Sequence, residues 1–527
     1  MSTTGTYDYL KASFAKFKDS PYRQYQAEAV NFILQSKKKI MVLCCPTGFG
    51  KSLAGMAAGS YYSNFTYLVS SKALQSQLVA DFSEVAVMKG RNNYPCLHNA
   101  DLSCAECMHN VLIQCEYYKD KCPYEVQKQK VLGSRWRLLN YHYYLYETAY
   151  AGAKFGGSKI LLCDEGDLLE GLLADFISLS IPARAVKRLQ IPKPKYVTAD
   201  SKNGIVCWVE WAETVVHKKI SNRISRVKNE IQDSSVGDQD LPKLHRELKG
   251  LGGILERVNI FIKNVDKEWV FEEDYKGGYI FKPTWIPEDL SDKFFFKTAN
   301  RFVLMSATFP PPEIMGKLLG RQPGDFDYFE APSTFRVENR RVYVRPAGDL
   351  TYKTFQTEAP KIVKAIQKIM LEHPNEKGLV HAVSYKLADM IMTINESNGM
   401  RLITHRTDDR EQVLDKFKRS NKPLVLVSPS MERGISLNDD MARFIVFAKA
   451  PFLSLADKLV KKRVFGSNIG SLWYRSNAAQ VLVQGCGRGV RHKDDYCMSY
   501  LIDKQIFNLI AQNRRLFPLY WLEAIEI

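Results

Sequence analysis

The 527-residue chain has no apolar stretch near the roughly twenty residues that a membrane-spanning helix needs, and no apolar secretory core near its start. These two absences argue against a membrane-embedded or exported protein and predict an intracellular one, cytoplasmic or associated with the nucleoid. Internal repeats and low-complexity segments are also missing, which leaves ordinary folded domains. A disulfide framework is lacking too. Of eleven cysteines, Cys44, Cys45, Cys163, Cys207, Cys486 and Cys497 lie within apolar runs, where a reduced thiol behaves as a small hydrophobe. Negative charge is scarce: 57 Asp and Glu face 74 Lys and Arg, a net charge of +17. That excess favours a polyanionic partner through phosphate contacts and counterion release, although a ribosomal or membrane-surface protein would show the same balance. With 45% apolar residues the chain is globular, and its length suits three or four domains rather than one core.

What is present starts with Cys45-Pro46-Thr47-Gly48-Phe49-Gly50-Lys51-Ser52. An apolar run, Ile40 to Cys44, precedes it and a small-residue segment, Leu53 to Ala58, follows. Strand, glycine-bearing loop, then Lys-Ser opening a helix is the arrangement that cradles nucleotide phosphates. Backbone N–H groups converge on the anion, Lys51 reaches the β- and γ-phosphates of ATP, and Ser52 ligates Mg²⁺. A second apolar run, Lys159 to Cys163, ends in Asp164-Glu165-Gly166-Asp167. Asp164 at the strand tip can hold Mg²⁺ through water, and Glu165 can orient and deprotonate the attacking water. Alone, an acidic tetrapeptide after a strand is usually a solvated loop; downstream of a phosphate loop it becomes the expected hydrolysis site.

A third element is Gln484-Gly485-Cys486-Gly487-Arg488-Gly489-Val490-Arg491. On a helix, positions 484, 488 and 491 share one face, and arginines presented across a cleft stabilise charge spreading over a transferring phosphoryl group. Five further cysteines crowd together: Cys96, Cys104, Cys107, Cys115 and Cys122. Such density points to a metal or cluster. Thiolates alone suit a four-iron–four-sulfur cluster, whereas Cys104 and Cys107 with His98 and His109 would suit tetrahedral zinc. Spacing leaves both open. Farther on, Leu241, Leu244, Leu248, Leu251, Leu255, Val258 and Ile262 form a helical stripe, and Trp211, Val215, Ile220, Ile224, Val227 and Ile231 a looser one. The connector 233–238 reads as a turn between them, giving an antiparallel helical hairpin, and Lys276-Gly277-Gly278 joins two aromatic, strand-like runs.

Taken in order, these segments resemble the superfamily 2 helicases, and more narrowly the XPD/DinG family of iron–sulfur DNA helicases. Arg23 and Gln26, placed in an opening helix, resemble the adenine-side motif. Ser70 to Leu78, with Lys72 and Gln75, resembles the DNA-contacting motif. Lys89 to Cys96 and Cys122-Pro123-Tyr124, followed by Asn140 to Leu145, resemble the two flanks of the cluster domain. Ser306-Ala307-Thr308, Lys377 to Tyr385, Val427 to Gly434 and Lys449 to Phe452 resemble the later motor motifs.

The resemblance implies an α/β fold with two RecA-like motor domains. The first would comprise 1–85, 151–175 and 286–330. A cluster insertion and return (86–150) and a helical arch-like insertion (176–285) would interrupt it, and the second motor domain would span 331–527. ATP would lie on Arg23, Gln26 and Pro46 to Ser52, with Lys51, Asp164, Glu165, Gln484, Arg488 and Arg491 catalytic. The implied cofactors are ATP, Mg²⁺ and a [4Fe-4S] cluster held by four of the five clustered cysteines, with zinc as the alternative. Cys96, Cys107 and Cys122 are common to both ligand arrangements found in the family. The implied activity is ATP-driven movement 5′ to 3′ on single-stranded DNA with unwinding of forked duplex, as a monomeric motor with no membrane contact and no protein partner indicated. A translocase without strand separation, carrying structural zinc, is the alternative. A binding protein with a decayed ATPase is disfavoured by the intact Lys51, Asp164, Glu165, Arg488 and Arg491. No exonuclease is expected ahead of the phosphate loop.

Two departures stand out. Gly166-Asp167 replaces the Ala-His common in the superfamily, and Asp167 is positioned to accept a hydrogen bond from the Gln484 amide. Arg433-Gly434-Ile435-Ser436 replaces the family's Glu-Gly-Ile-Asp.

Overall fold

The structure, a computed structural model, describes residues 8–97, 102–106, 115–118, 120–150, 154–196, 198, 202–233, 240–394, 401–429, 437, 439–490, 492 and 494–527. Two seven-stranded sheets dominate it, and every strand pair within them is parallel. The first runs, edge to edge, Phe326–Glu330, Ile40–Cys44, Ala299–Ser306, Ser158–Asp164, Phe65–Val69, Trp136–Asn140 and Ala86–Val87. Both faces of this sheet are covered, so its strands read as continuous apolar runs. Val42 faces one core while Met41 and Leu43 face the other.

The second sheet orders Leu402–Thr404, Val425–Ser428, Gly378–His381, Phe444–Phe447, Met498–Asp503, Val342–Gly348 and Ile525–Glu526. It splits its core the same way, with Ile445 and Phe447 on one side and Phe444 and Val446 on the other. The fold is α/β with two RecA-like sheets. Among the described residues no helix is long and apolar enough to cross a membrane.

Register positions the chemistry. Cys44 pairs with Ser306, and Asp164 with Met305, so the phosphate loop, the acidic tetrapeptide and Ser306-Ala307-Thr308 leave one sheet at the same edge. Open parallel sheets bind ligands outside the carboxyl ends of their strands.

Between these motifs lies a smaller body. Helical segments run from Lys202 to Gln232, with a π-helical stretch at Ala212–His217, and pack against Leu241–Asn264. Val258 and Leu251 of the predicted stripe are buried in the main core, whereas Leu248 closes a small cluster with Val227 and Ile231. Most of the connector between the helices, 234–239, lies outside the described residues. The two aromatic runs form an antiparallel hairpin, Trp269–Glu273 with Tyr279–Pro283, and Leu179–Ile181 adds a third strand. Phe281 sits at its centre, with ring centroids 4.7 Å from Phe261, 4.8 Å from Phe271 and 5.1 Å from Trp208.

Ala86–Val87 and Trp136–Asn140, both within 86–150, pair with each other in the first sheet, and the second also pairs with Phe65–Val69.

One helix of the second domain, Lys458–Phe465, reaches into the smaller body. Lys458 Nζ donates to the Phe271 carbonyl at 3.1 Å and Lys462 Nζ to that of Trp269 at 3.4 Å. Arg463, only 5% exposed, donates through Nε to the Thr284 carbonyl at 2.6 Å and through Nη2 to Glu170 at 2.5 Å. Its guanidinium also lies about 5 Å from the ring centres of Trp285 and Trp473.

Candidate nucleotide site between two parallel sheets

The phosphate loop turns on two left-handed glycines, Gly48 (φ 79°) and Gly50 (φ 83°), after which Lys51–Ser60 is helical. Glycine is required at Gly50 twice over: for its φ, and because an added Cβ would meet Gln26 Nε2 at 2.3 Å. Gln26 clamps the loop from outside by donating to the Phe49 carbonyl at 2.8 Å and that of Gly50 at 3.2 Å. Arg23 Nη1 donates to the Gly48 carbonyl at 2.6 Å, and the Arg23 N–H to Gln26 Oε1 at 2.7 Å. Arg23 lies before the helix rather than in it, since that helix begins at Gln26. Lys51 Nζ donates to the carbonyls of Cys45 at 3.1 Å and Pro46 at 3.4 Å. Phe49 anchors the loop in the core.

Asp164 ends its strand almost wholly buried, and burial pushes its carboxyl above the usual carboxylate range, with Lys51 and the Tyr67 hydroxyl acting in the opposite sense. The Tyr67 hydroxyl donates to Asp164 Oδ2 at 2.8 Å and lies beside Ser52, so this phenol sits between the two residues expected to hold Mg²⁺. The Tyr141 hydroxyl donates to the Asp164 carbonyl at 2.8 Å. Sequence reasoning missed both roles, although a polar-tipped aromatic in a buried strand, such as Tyr67, usually needs a partner; Tyr141 opens a helix. Glu165 has φ 50°, which turns its exposed side chain to accept from Ser70 Oγ.

Gly166 explains one departure. A Cβ there would come 3.0 Å from Leu304 Cβ and 3.1 Å from the Met305 nitrogen, tighter than ordinary packing allows. Asp167 explains its own presence: one carboxylate oxygen accepts from Ser306 Oγ at 2.6 Å and the other from Gln484 Nε2 at 2.9 Å. Gln484 Nε2 also donates to Thr308 Oγ1 at 3.0 Å. The bond expected between Asp167 and Gln484 is therefore present, and it joins the two sheets' domains.

The arginine segment differs from its sequence reading. The helix Gly470–Cys486 stops before Arg488, which lies in the following turn. Three glycines in five residues, at 485, 487 and 489, explain the break, each costing a helix about 1 kcal/mol relative to alanine. The turn abuts the phosphate loop, since a Cβ on Gly487 would lie 3.3 Å from Thr47 Oγ1. Arg488 is buried beside His381, whose ring stacks on Phe447 at 4.5 Å. Burial, then the Arg488 charge, lowers the His381 pKa to about 3. Arg491 and residues 430–436, including Arg433 and Ser436, lie outside the described residues.

Lys72 is exposed at the start of the helix Lys72–Asp81, which Ser71 caps by accepting from the Leu74 N–H at 3.2 Å. Gln75 is different. It is 1% exposed and its amide donates to the Met88 carbonyl at 3.0 Å, so it braces the helix and does not face a ligand.

Cys96, Cys104 and Cys122 converge through a bridge between Pro95 and Ser103 and the turn that bonds the Cys122 N–H to the Tyr117 carbonyl. The Cys104 and Cys122 sulfurs are 3.9 Å apart. Burial, then the Cys122 thiol, pushes Cys104 up to about 12, and Cys96 adds to the effect. A buried thiol beside a second sulfur suits a cationic metal centre that would take both as thiolates, so the residues fit a cluster or zinc. Cys115 is half-buried on the same segment, and Cys107, His98 and His109 lie outside the described residues.

Comparison with known proteins agrees with this geometry. Residues 366–523 match the helicase C-terminal domain family. The chain is 23% identical over 317 residues to the ATP-dependent DNA helicase CHL1 of Saccharomyces cerevisiae, covering 52% of this chain and 36% of that protein. It is 26% identical over 323 residues to the ATP-dependent DNA helicase DinG of Photobacterium profundum, covering 56% and 45%. The chain thus spans less than half the length of these curated relatives. In fold it resembles a solved XPD helicase (TM-score 0.60, 16% identity, 95% of this chain and 96% of that one). It also resembles Xpd4 of S. tokodaii (TM-score 0.58, 15% identity, 96% and 99%). With its two parallel sheets, its phosphate loop and a segment that matches the helicase C-terminal domain family, the chain is similar in sequence to CHL1 and DinG and in fold to XPD.

Proposed function

We propose that the chain is an ATP-driven DNA helicase that moves 5′ to 3′ on single-stranded DNA and separates duplex strands. The observation that carries this reading is the Ser306–Asp167–Gln484–Thr308 network, which bonds the two domains beside the loop of Lys51 and the carboxylates of Asp164 and Glu165. Hydrolysis there would be sensed by both domains at once. Lys51 meets the β- and γ-phosphates, while Arg23 and Gln26 hold the loop and face the base. Ser52 and Asp164 would hold Mg²⁺, which when bound neutralises phosphate charge. Glu165 accepts the proton of the attacking water, and Arg488 with Arg491 meets the charge that develops on the transferring phosphoryl group. Lys72 contacts the DNA backbone. Cys96, Cys104 and Cys122 with one of Cys107 or Cys115 would hold a [4Fe-4S] cluster, which fastens a segment too small to keep its shape on apolar burial alone.

The test is strand release from 5′-tailed and 3′-tailed duplexes, with wild type and Glu165→Gln. Wild type should open the 5′-tailed duplex with ATP, whereas Glu165→Gln should bind ATP and open neither. DNA-stimulated ATP turnover without opening of either duplex would leave translocation alone. Normal turnover in Glu165→Gln would overturn the assignment of the base.

A further inference from the structure

Away from the nucleotide cleft, the tip of the Trp269–Glu273 and Tyr279–Pro283 hairpin is built as a fixed turn. The Asp274 carboxylate accepts from the Lys276 and Gly278 N–H groups at 2.8 Å each, and Gly277 takes φ +90°. These bonds occupy Asp274 and hold Tyr275 outward, where it is 91% exposed with Lys276 Nζ 5.1 Å from its ring centre. The tip abuts the helix Ala183–Arg188, because a Cβ on Gly278 would lie 3.0 Å from the Ala183 nitrogen. On that helix Arg184, Lys187 and Arg188 recur at the spacing of one face, and all three are exposed. Together with Tyr275 and Lys276 they line an open groove of about 860 Å³.

The charges in this groove are not balanced. Arg188 pairs with Glu247 at 2.7 Å, and nearby Lys193 pairs with Glu273 at 2.8 Å. Among the described residues no carboxylate oxygen lies within 4.0 Å of the Arg184, Lys187 or Lys276 charge. Three cations without a salt-bridge partner, Lys276 among them in the field of Asp274, therefore surround one outward-facing phenol. A duplex would use the cations but hide its base faces, and an acidic peptide would leave the ring without a stacking partner. A single strand uses both, with phosphates on the cations and a base on the ring.

We propose that this shelf is a second binding site for single-stranded nucleic acid, separate from Lys72, in which Tyr275 stacks a base and Arg184, Lys187 and Lys276 take phosphates. The proposal rests on the nucleic-acid reading above for the class of ligand. It is tested with the full chain and a fluorescent oligo-dT, titrated with salt and paired with photo-crosslinking through halogenated bases. Losing three phosphate contacts from a single strand should lower the slope of log affinity against log salt by about 2 in an Arg184→Ala/Lys187→Ala/Lys276→Ala variant. Tyr275→Ala should weaken binding about fivefold or more, and the crosslink should fall on the Tyr275 peptide. ATP turnover at saturating DNA should stay at the wild-type level in both variants. Unchanged slope and affinity alongside DNA-stimulated turnover would overturn the shelf and leave the motor reading standing. So would capture of a polyglutamate peptide that the triple variant loses while its DNA binding is intact. A wild-type chain that binds no DNA at all would overturn the motor reading, and the shelf with it.

Discussion

Breaking the bond between Asp167 and Gln484 tests how the two domains communicate. Asp167→Ala removes acceptors from both Ser306 and Gln484, and Gln484→Ala removes donors to both Asp167 and Thr308. Neither single variant isolates the contact between domains, but a double-mutant cycle does, because the Ser306 and Thr308 contributions cancel. A hydrogen bond to an ionised group is worth about 1.5–3 kcal/mol. Asp167 is half-buried, so a coupling of about 2 kcal/mol is expected, roughly 30-fold in rate if the contact is tightest when ATP is cleaved. The assay is DNA-stimulated ATP turnover in wild type, the two single variants and the double variant, each also measured without DNA. The double variant should be about 30-fold faster than the product of the single effects predicts, and the excess should shrink without DNA. Effects that multiply to within about twofold would refute the claim that this bond carries the communication.

Arg488→Ala should lower ATP turnover far more than ATP affinity, and Arg488→Lys should restore little, since a point charge cannot reproduce the planar fork; unchanged turnover in nucleotide kinetics would count against the role. Cys104→Ser and Cys122→Ser should each strip the bound metal, read as loss of iron and visible absorbance, while DNA-independent ATPase survives; stoichiometric zinc without iron in wild type would replace the cluster. For His381, the unfolded chain binds a proton below pH 6.5 that the folded chain refuses until about 3, so stability falls as pH drops through that window. The loss is about 1.4 kcal/mol per pH unit, roughly 2 kcal/mol by pH 5. In denaturant melts at pH 7 and 5, His381→Phe should lack this component.

The parts of the site that could be read in the sequence are those whose chemistry demands neighbouring residues. Lys51 beside Ser52, and Asp164 beside Glu165, each sit at the end of an apolar run, and the parallel register then brings the runs together. Gln75 was misread for want of periodicity: it stands three residues before Leu78 and shares that residue's buried face. The helix end at Cys486 was visible in principle, because the one-face argument for Gln484, Arg488 and Arg491 had to pass through Gly485, Gly487 and Gly489. Tyr67 and Tyr141 were not accessible that way. Their hydroxyls find Asp164 across about a hundred residues and about twenty respectively, separations that local pattern does not encode. Leu179–Ile181 is three residues long and pairs with a strand a hundred residues away, so neither length nor periodicity announces it.

Lys458, Lys462 and Arg463, three of the four cations of Lys458–Phe465, have a mechanical consequence. They grip carbonyls at Trp269, Phe271 and Thr284, on or beside the strands that carry the long helical hairpin, while their own helix belongs to the second domain. A turning second domain must tear these bonds or drag the strands along, and Arg463, wedged between two tryptophans and tied to Glu170, resists tearing most. If the second domain turns during an ATP cycle, as the proposed function requires, the helix would act as a connecting rod, converting rotation at the nucleotide into displacement at the base of a lever formed by the helical hairpin.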